Sequence, residues 1–146
     1  MTTAQQTQAF VTLDTTSPNI VVRFLRAPVD DAEFERYLWR LDALYRQKKA
    51  MTLTFDTTQL VGMIPVKHFK RQAEFMRAQN DQSEKYVRRV AVYIASSVVR
   101  GIVNLLLTLK PPVVKVRLFG QQEWPALVDW IQQEWLVSPP INQRTY

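Results

Sequence analysis

The run Val90-Ala91-Val92-Tyr93-Ile94-Ala95 is apolar at almost every position. A strand with one wet face alternates apolar and polar residues, whereas an unbroken run is the mark of a strand covered on both faces. Such a strand needs partners on either side and layers above and below it, which restricts the chain to architectures built on a central sheet. The flanking segments have the period of helices. Val66, Phe69, Ala73 and Met76 recur at steps of three and four before the run, and residues 98–109 are apolar almost all round after it.

The remaining segments complete the pattern. Residues 9–13 and 20–25 are β-branched and aromatic runs separated by Thr15-Thr16-Ser17-Pro18-Asn19, which predicts a β-hairpin. Asp30 stands three residues before Glu33, the spacing of a capping box, and Val29 with Phe34 has the spacing of a hydrophobic staple. Phe34, Leu38, Leu41 and Tyr45 then form the buried stripe of a helix ending near Lys48 or Lys49. Residues 51–56 predict a third strand and residues 57–64 a loop. Pro65 suits the first turn of a second helix, whose frayed end falls in the polar stretch 79–84. Ser96 or Ser97 caps the helix 98–109, which Pro111-Pro112 stops. Residues 113–119 predict a fifth strand ending at Gly120. Trp124, Leu127, Val128, Ile131 and Trp135 stripe a last helix, and residues 136–146 form an irregular tail.

The order ββαβαβαβα predicts an α/β fold: a five-stranded, mixed but mostly parallel sheet with helices on both faces and an antiparallel hairpin at one edge. With no internal repeat or second core visible, residues 1–146 form one domain with its core in 8–135. The absence of cysteine removes disulfides, thiolate metal sites and cysteine nucleophiles. A single histidine and three widely spaced glycines provide neither a multi-histidine metal site nor a phosphate-cradling loop. No cofactor and no enzymatic activity is expected. Residues 1–9 lack the basic start and apolar stretch of a signal peptide, and no run reaches the length of a membrane span, so the expected location is cytoplasmic.

Several stretches resemble the STAS domain, the anti-sigma-factor antagonist fold that overlaps the SEC14-like group. They are Leu53-Thr54-Phe55-Asp56 with the loop and helix after it, Arg89-Val90-Ala91-Val92-Tyr93, and Val116-Arg117-Leu118-Phe119 with the helix that follows. Ser97-Val98-Val99-Arg100-Gly101 and Arg71-Gln72-Ala73-Glu74 are similar to patterns in uncharacterised bacterial proteins of this group. The resemblance covers residues 18–135 and implies a stand-alone STAS-like domain acting as a regulatory or protein-interaction module. Regulatory STAS domains carry an Asp-Ser-Ser/Thr-Gly segment, phosphorylated by a kinase, after the third strand. Here the corresponding residues are Val61-Gly62-Met63-Ile64-Pro65-Val66, with no hydroxyl among them. The SEC14-like side of the resemblance implies an alternative, a binder of a lipid or other small apolar ligand beneath the helix 98–109.

Candidate site residues fall in three groups. Ligands of open α/β sheets bind beyond the carboxyl ends of the strands, where this topology gathers Asp56, Thr57 and Thr58, Ser96 and Ser97, and Gly120 with Gln121. Those residue types equally serve as caps and turns. Lys67, His68, Lys70 and Arg71 occupy the first two turns of a helix, where cations oppose the dipole, so they are candidates for an anion or an acidic partner, aided by Arg100. They equally read as a solvated face. His68 lacks a positioned nucleophile, with Asp56 the only acid placed near it, and reads as a surface histidine. In the third group, Val103 and Leu107 of the helix 98–109 are candidates for an apolar interface, such as a homodimer contact or a hydrophobic partner site. The tryptophans sit mainly among apolar neighbours, as core or interface residues rather than stacking platforms, which disfavours nucleic acid.

The charge is unevenly spread. The net charge is +6, yet residues 67–117 hold 11 basic and 3 acidic side chains, net +8, and the remainder sums to −2. A basic docking face for a protein partner, such as an acidic one, is the reading this favours.

Overall fold

The computed structural model describes residues 9–60, 65–109 and 111–137. Strands β1 (Val11–Asp14) and β2 (Asn19–Phe24) form the hairpin, closed by Asp14, whose carboxylate accepts from the Thr16 amide and hydroxyl. Then follow α1 (Asp31–Arg46), β3 (Met51–Asp56), α2 (Val66–Ala78), α3 (Asn80–Tyr86), β4 (Val87–Ile94), α4 (Ser97–Leu109), β5 (Lys115–Gly120) and α5 (Trp124–Val137). The five strands lie in the order β1-β2-β3-β4-β5, the first pair antiparallel and the rest parallel.

That order explains where the helices lie. Right-handed crossovers that always step in one direction across a sheet deliver every connecting helix to the same face. Residues of α1, α2 and α4 accordingly share one core with Val22 and Phe24 of β2, Leu53 and Phe55 of β3, and Val90 and Val92 of β4. The opposite face is covered by α5, which connects no strands. Its Leu127 and Ile131 close over Ala91 and Phe119, with Trp130 and Trp135 packed beside them. Helices therefore do cover both faces, four on one side and one on the other. β3 is buried at all six positions. Its Thr52 and Thr54 hydroxyls both donate to Asn19 Oδ1, at 2.9 and 3.1 Å, and Thr52 accepts from Trp135 Nε1 at 3.1 Å.

Local signals mostly act as the residue types predict, with instructive departures. Asp30 caps α1 by accepting from the Glu33 amide at 2.8 Å, but the Glu33 carboxylate reaches the Val29 amide and Arg26 rather than the cap residue itself. Val29 is 71% exposed, so no staple forms. The stripe Phe34, Leu38, Leu41 and Tyr45 is buried, and α1 ends at Arg46, followed by Lys48 at φ 54°. On α2, His68 and Phe75 are the buried positions, while Val66 is exposed. The stretch 79–84 is no frayed end. Gln79 Nε2 donates to Asp42 Oδ1 of α1, and buried Ser83 lies by the Tyr45 hydroxyl, so contacts with α1 hold a separate helix, α3. Burial pushes the Tyr45 phenol up to about 12. On α5, Trp124 is exposed at the start and Leu136 and Val137 remain helical; the rest of the expected tail, like residues 1–8 and 61–64, lies outside the described residues. Trp39 is also exposed, so it is not a core residue.

Candidate functional site

The carboxyl ends of the parallel strands bring the first group of candidates together, and their polar atoms are engaged locally. Asp56 is buried; its Oδ2 accepts from Arg23 Nε at 3.0 Å, and its Oδ1 accepts from the Thr58 amide and hydroxyl at 3.0 and 2.6 Å. Thr57 donates its amide and its hydroxyl to the Tyr93 carbonyl, at 2.9 and 2.8 Å, tying the end of β3 to the end of β4. Ser96 caps α4 by accepting from the Val99 amide at 3.3 Å, and Ser97 begins that helix in an exposed position. The Gly120 amide donates to Glu123 Oε1 at 2.6 Å, and Arg100 reaches toward this corner from α4. A ligand crevice at a sheet edge opens where successive crossovers diverge to opposite faces. The strand order here has no such reversal, so the edge is a row of caps and turns.

The second group is neutralised from across the helix interface. Lys67 Nζ and His68 Nε2 both meet Asp31 Oδ1, at 3.1 and 2.9 Å, and Arg71 grips Glu35 through two bonds of 2.7 and 3.0 Å. Cations placed against the dipole of α2 thereby gain acids from the first turns of α1, which offsets the unfavourable placement. The His68 and Lys67 hydrogen bonds hold the Asp31 carboxyl below the usual aspartate range, and the Glu35 bond raises the Arg71 guanidinium above its ordinary value. His68 is 6% exposed and stacks on Phe34 with ring centroids 4.9 Å apart, which corrects its reading as a surface histidine. Its acid is Asp31, not Asp56. Lys70 alone of this group is exposed without an ion pair among the described residues. Elsewhere in the basic stretch, Arg88 and Arg89 converge on Glu134 of α5, and Arg89 also lies over the Trp130 ring. Part of the charge imbalance along the sequence is thus answered in space, because Asp31, Glu35 and Glu134 all come from outside residues 67–117.

The third group changes phase. Val103 and Leu107 are half-buried and turn inward, following Val99 at helical spacing, so they are not the outward interface expected of them. The outward line of α4 is Val98, Leu105 and Leu109, exposed at 66%, 57% and 66%, with open space beyond Gly101. Between α4, α2 and the sheet lies a cavity of about 190 Å³, lined by Phe69, Met76, Val103, Leu107 and Val116 among others. His68 and Gln72 also line it, and His68 Nδ1 and Gln72 Nε2 are enclosed with no hydrogen-bond partner. Sequence reasoning missed Gln72, whose signal is its place four residues after His68, on the same helix face. It missed Asp31 and Glu35 as well, which were legible only as acids near the start of α1. Among the described residues, no group of three or more histidines and acids is placed to hold a metal, and no helix is long and apolar enough to cross a membrane.

No protein-family model and no curated protein matches the sequence. The backbone, however, is similar to the solved structure of an uncharacterised protein of the DUF3478 family from Shewanella loihica PV-4, described as having a SpoIIAA-like fold. The two share 12% sequence identity over 83% of this chain and 91% of that one, with a TM-score of 0.58. The chain therefore has a SpoIIAA-like fold, the STAS-type architecture that the strand and helix patterns resemble.

Proposed function

We propose that this chain is a non-enzymatic regulatory module that docks a protein partner on the outer face of α4. One observation carries the reading: Val98, Leu105 and Leu109 form an exposed apolar line on a helix that has no acidic residue. Isolated exposed apolar residues are ordinary, but three in one line along a helix suit an interaction surface. The cations of the two neighbouring helices favour an acidic partner. Lys70 and Arg77 of the adjoining α2, with Arg100 of α4 itself, make no ion pair among the described residues. The occupant that fits is an acid-flanked amphipathic segment of another protein. Ser97 lies at the start of this face.

Catalysis has little to draw on, since Asp56 is committed to Arg23 and Thr58, and His68 to Asp31. Residues 61–66 contain no hydroxyl, so a phosphorylation switch at that place has no acceptor. A cytoplasmic location and a single domain over residues 1–146 belong to the same proposal. A long-chain lipid in the SEC14-like manner finds no support from a cavity of this size.

In-cell photo-crosslinking from position 105, with position 12 of the hairpin as control, tests the reading. The expected result is an adduct with one acid-rich protein from position 105, lost when Arg77 and Arg100 are changed to Glu. A self-adduct, with a dimer mass by light scattering, overturns the heterologous partner in favour of a homodimer. No adduct overturns the docking face.

A further inference from the structure

Trp39 departs from the pattern of its helix. It is 70% exposed in the middle of α1, whereas Tyr37, Leu38 and Leu41 beside it are buried. Tryptophan is mostly buried in folded chains, so a bare indole forfeits a large gain. Among the described residues no ring or cation packs on it. Ala32 and Ala43 share its face at helical spacing and are exposed too, and side chains that short leave the indole standing clear.

The charges around the ring are one-sided. α1 carries four acids, and each is committed to a partner: Asp31 to Lys67 and His68, Glu33 to Arg26, Glu35 to Arg71, and Asp42 to Arg46 and Gln79. Arg36 and Arg40 stay exposed without an ion pair among the described residues, Arg36 being only a minor influence on Glu33. About 6 Å of helix axis separates these two arginines, and Trp39 lies between them. Lys48 and Lys49, also exposed and unpaired among the described residues, continue the line past the end of the helix.

We propose that the outer face of α1 binds single-stranded nucleic acid, with a base stacked on Trp39 and phosphates on Arg36, Arg40 and the two lysines. Exposed rings interleaved with cations are how such strands are held, since every base has a π-face. The sequence pattern argued against this because it placed the tryptophans among apolar neighbours; the exposure of Trp39 removes that objection. An acidic peptide answers the cations but brings no planar group to the ring. One indole and two alanines offer too little apolar surface to seat a helix in a membrane. In a duplex the base faces are already covered, so the strand is single.

The probes are labelled twelve-nucleotide strands of dT and of uridine, followed by fluorescence anisotropy. Both are expected to bind at about 0.1 mM or tighter at physiological salt, because nothing on this face reads the sugar. Trp39→Ala should weaken binding about tenfold and leave its salt dependence unchanged, with Trp39→Phe in between. Changing Arg36 and Arg40 to Gln should also weaken it and lower the salt slope by about 1.4. Changing Lys115 and Arg117 of β5 to Gln removes the same charge elsewhere and should alter affinity by less than about twofold. An equal loss from the β5 pair reduces the effect to net charge and overturns the proposal. So does a Trp39→Ala variant of full affinity, a duplex or polyglutamate bound as tightly as dT, a preference above about tenfold for either sugar, or no binding of either strand. The crosslinks from position 105 report on α4, so the two proposals fail separately.

Discussion

Asp31 and His68, 37 residues apart, share a hydrogen bond of 2.9 Å that fastens the first turn of α1 to the first turn of α2. The contact joins an exposed acid to a buried ring, and the ring is itself stacked on Phe34 of the same helix as the acid. A polar clamp and an apolar stack therefore fix one side chain from two directions. Gln72, one turn further along α2, repeats the arrangement through Tyr37.

The acids of this region make stability sensitive to acidification. Asp31 is held below its ordinary value of 3.8 by His68 and then Lys67, and Glu33 below 4.5 by Arg26. A group whose folded pKa is depressed stabilises the fold above its unfolded pKa, and that contribution is lost as pH falls through the folded value. The carboxylate contribution should be level above about pH 5 and decline below the ordinary values of these acids. Thermal midpoints measured from pH 6 to pH 2.5 check this, and Glu33→Gln should flatten the decline. A midpoint that rises on acidification below pH 4 would contradict it.

Lys48 terminates α1 with φ 54°, a left-handed conformation that costs a residue with a Cβ about 1 kcal/mol or more. Its amide still donates to the Tyr45 carbonyl at 3.1 Å, so the geometry itself is useful to the helix end. Lys48→Gly should raise unfolding stability by about 0.5–1 kcal/mol, after the added flexibility of the unfolded chain is subtracted. Urea denaturation reads the difference as a higher midpoint.

Thr52 is fully buried and mediates between Asn19 and Trp135. Replacing it by Val keeps the shape but leaves the indole N–H without an acceptor, at a cost of about 1–3 kcal/mol. Thr52→Val should also shift the fluorescence of Trp135. A variant as stable as the parent would show that this polar bridge adds nothing to packing.

Glu134 receives Arg88 and Arg89, and the second of these is mostly buried beside Trp130. Glu134→Gln leaves a half-buried guanidinium short of its counter-charge, with an expected loss of about 2 kcal/mol. Glu35→Gln, at a more exposed pair with Arg71, should cost less than about 1 kcal/mol. Comparable losses at the two sites would contradict the burial argument.

The sheet was readable because its signals are local and strong. Residues 51–56 and 90–94 are strands in the sequence pattern and in the structure, and Asp30 caps α1 as its spacing requires. What escaped depends on partners far along the chain. The polar stretch 79–84 looks like a frayed end until Asp42 and Tyr45 are brought beside it. His68 reads as a surface residue because nothing near it in sequence reveals Phe34 or Asp31. The basic character of residues 67–117 looks like one docking face because the acids that answer it lie elsewhere. The phase of α4 was also hidden, since a helix apolar on nearly every side gives no preferred face, and only packing decides that Val103 turns inward and Leu105 outward.

The sequential strand order carries a consequence for synthesis. Each strand finds its sheet neighbour already made, so the chain can build the sheet in register as it emerges, without waiting for a distant partner. The exception is α5: until residues 124–137 have been added, Thr52, Ala91 and Phe119 have no cover. A chain truncated near residue 120 would therefore present a nearly complete sheet with one sticky side, the species a chaperone would be called on to shield.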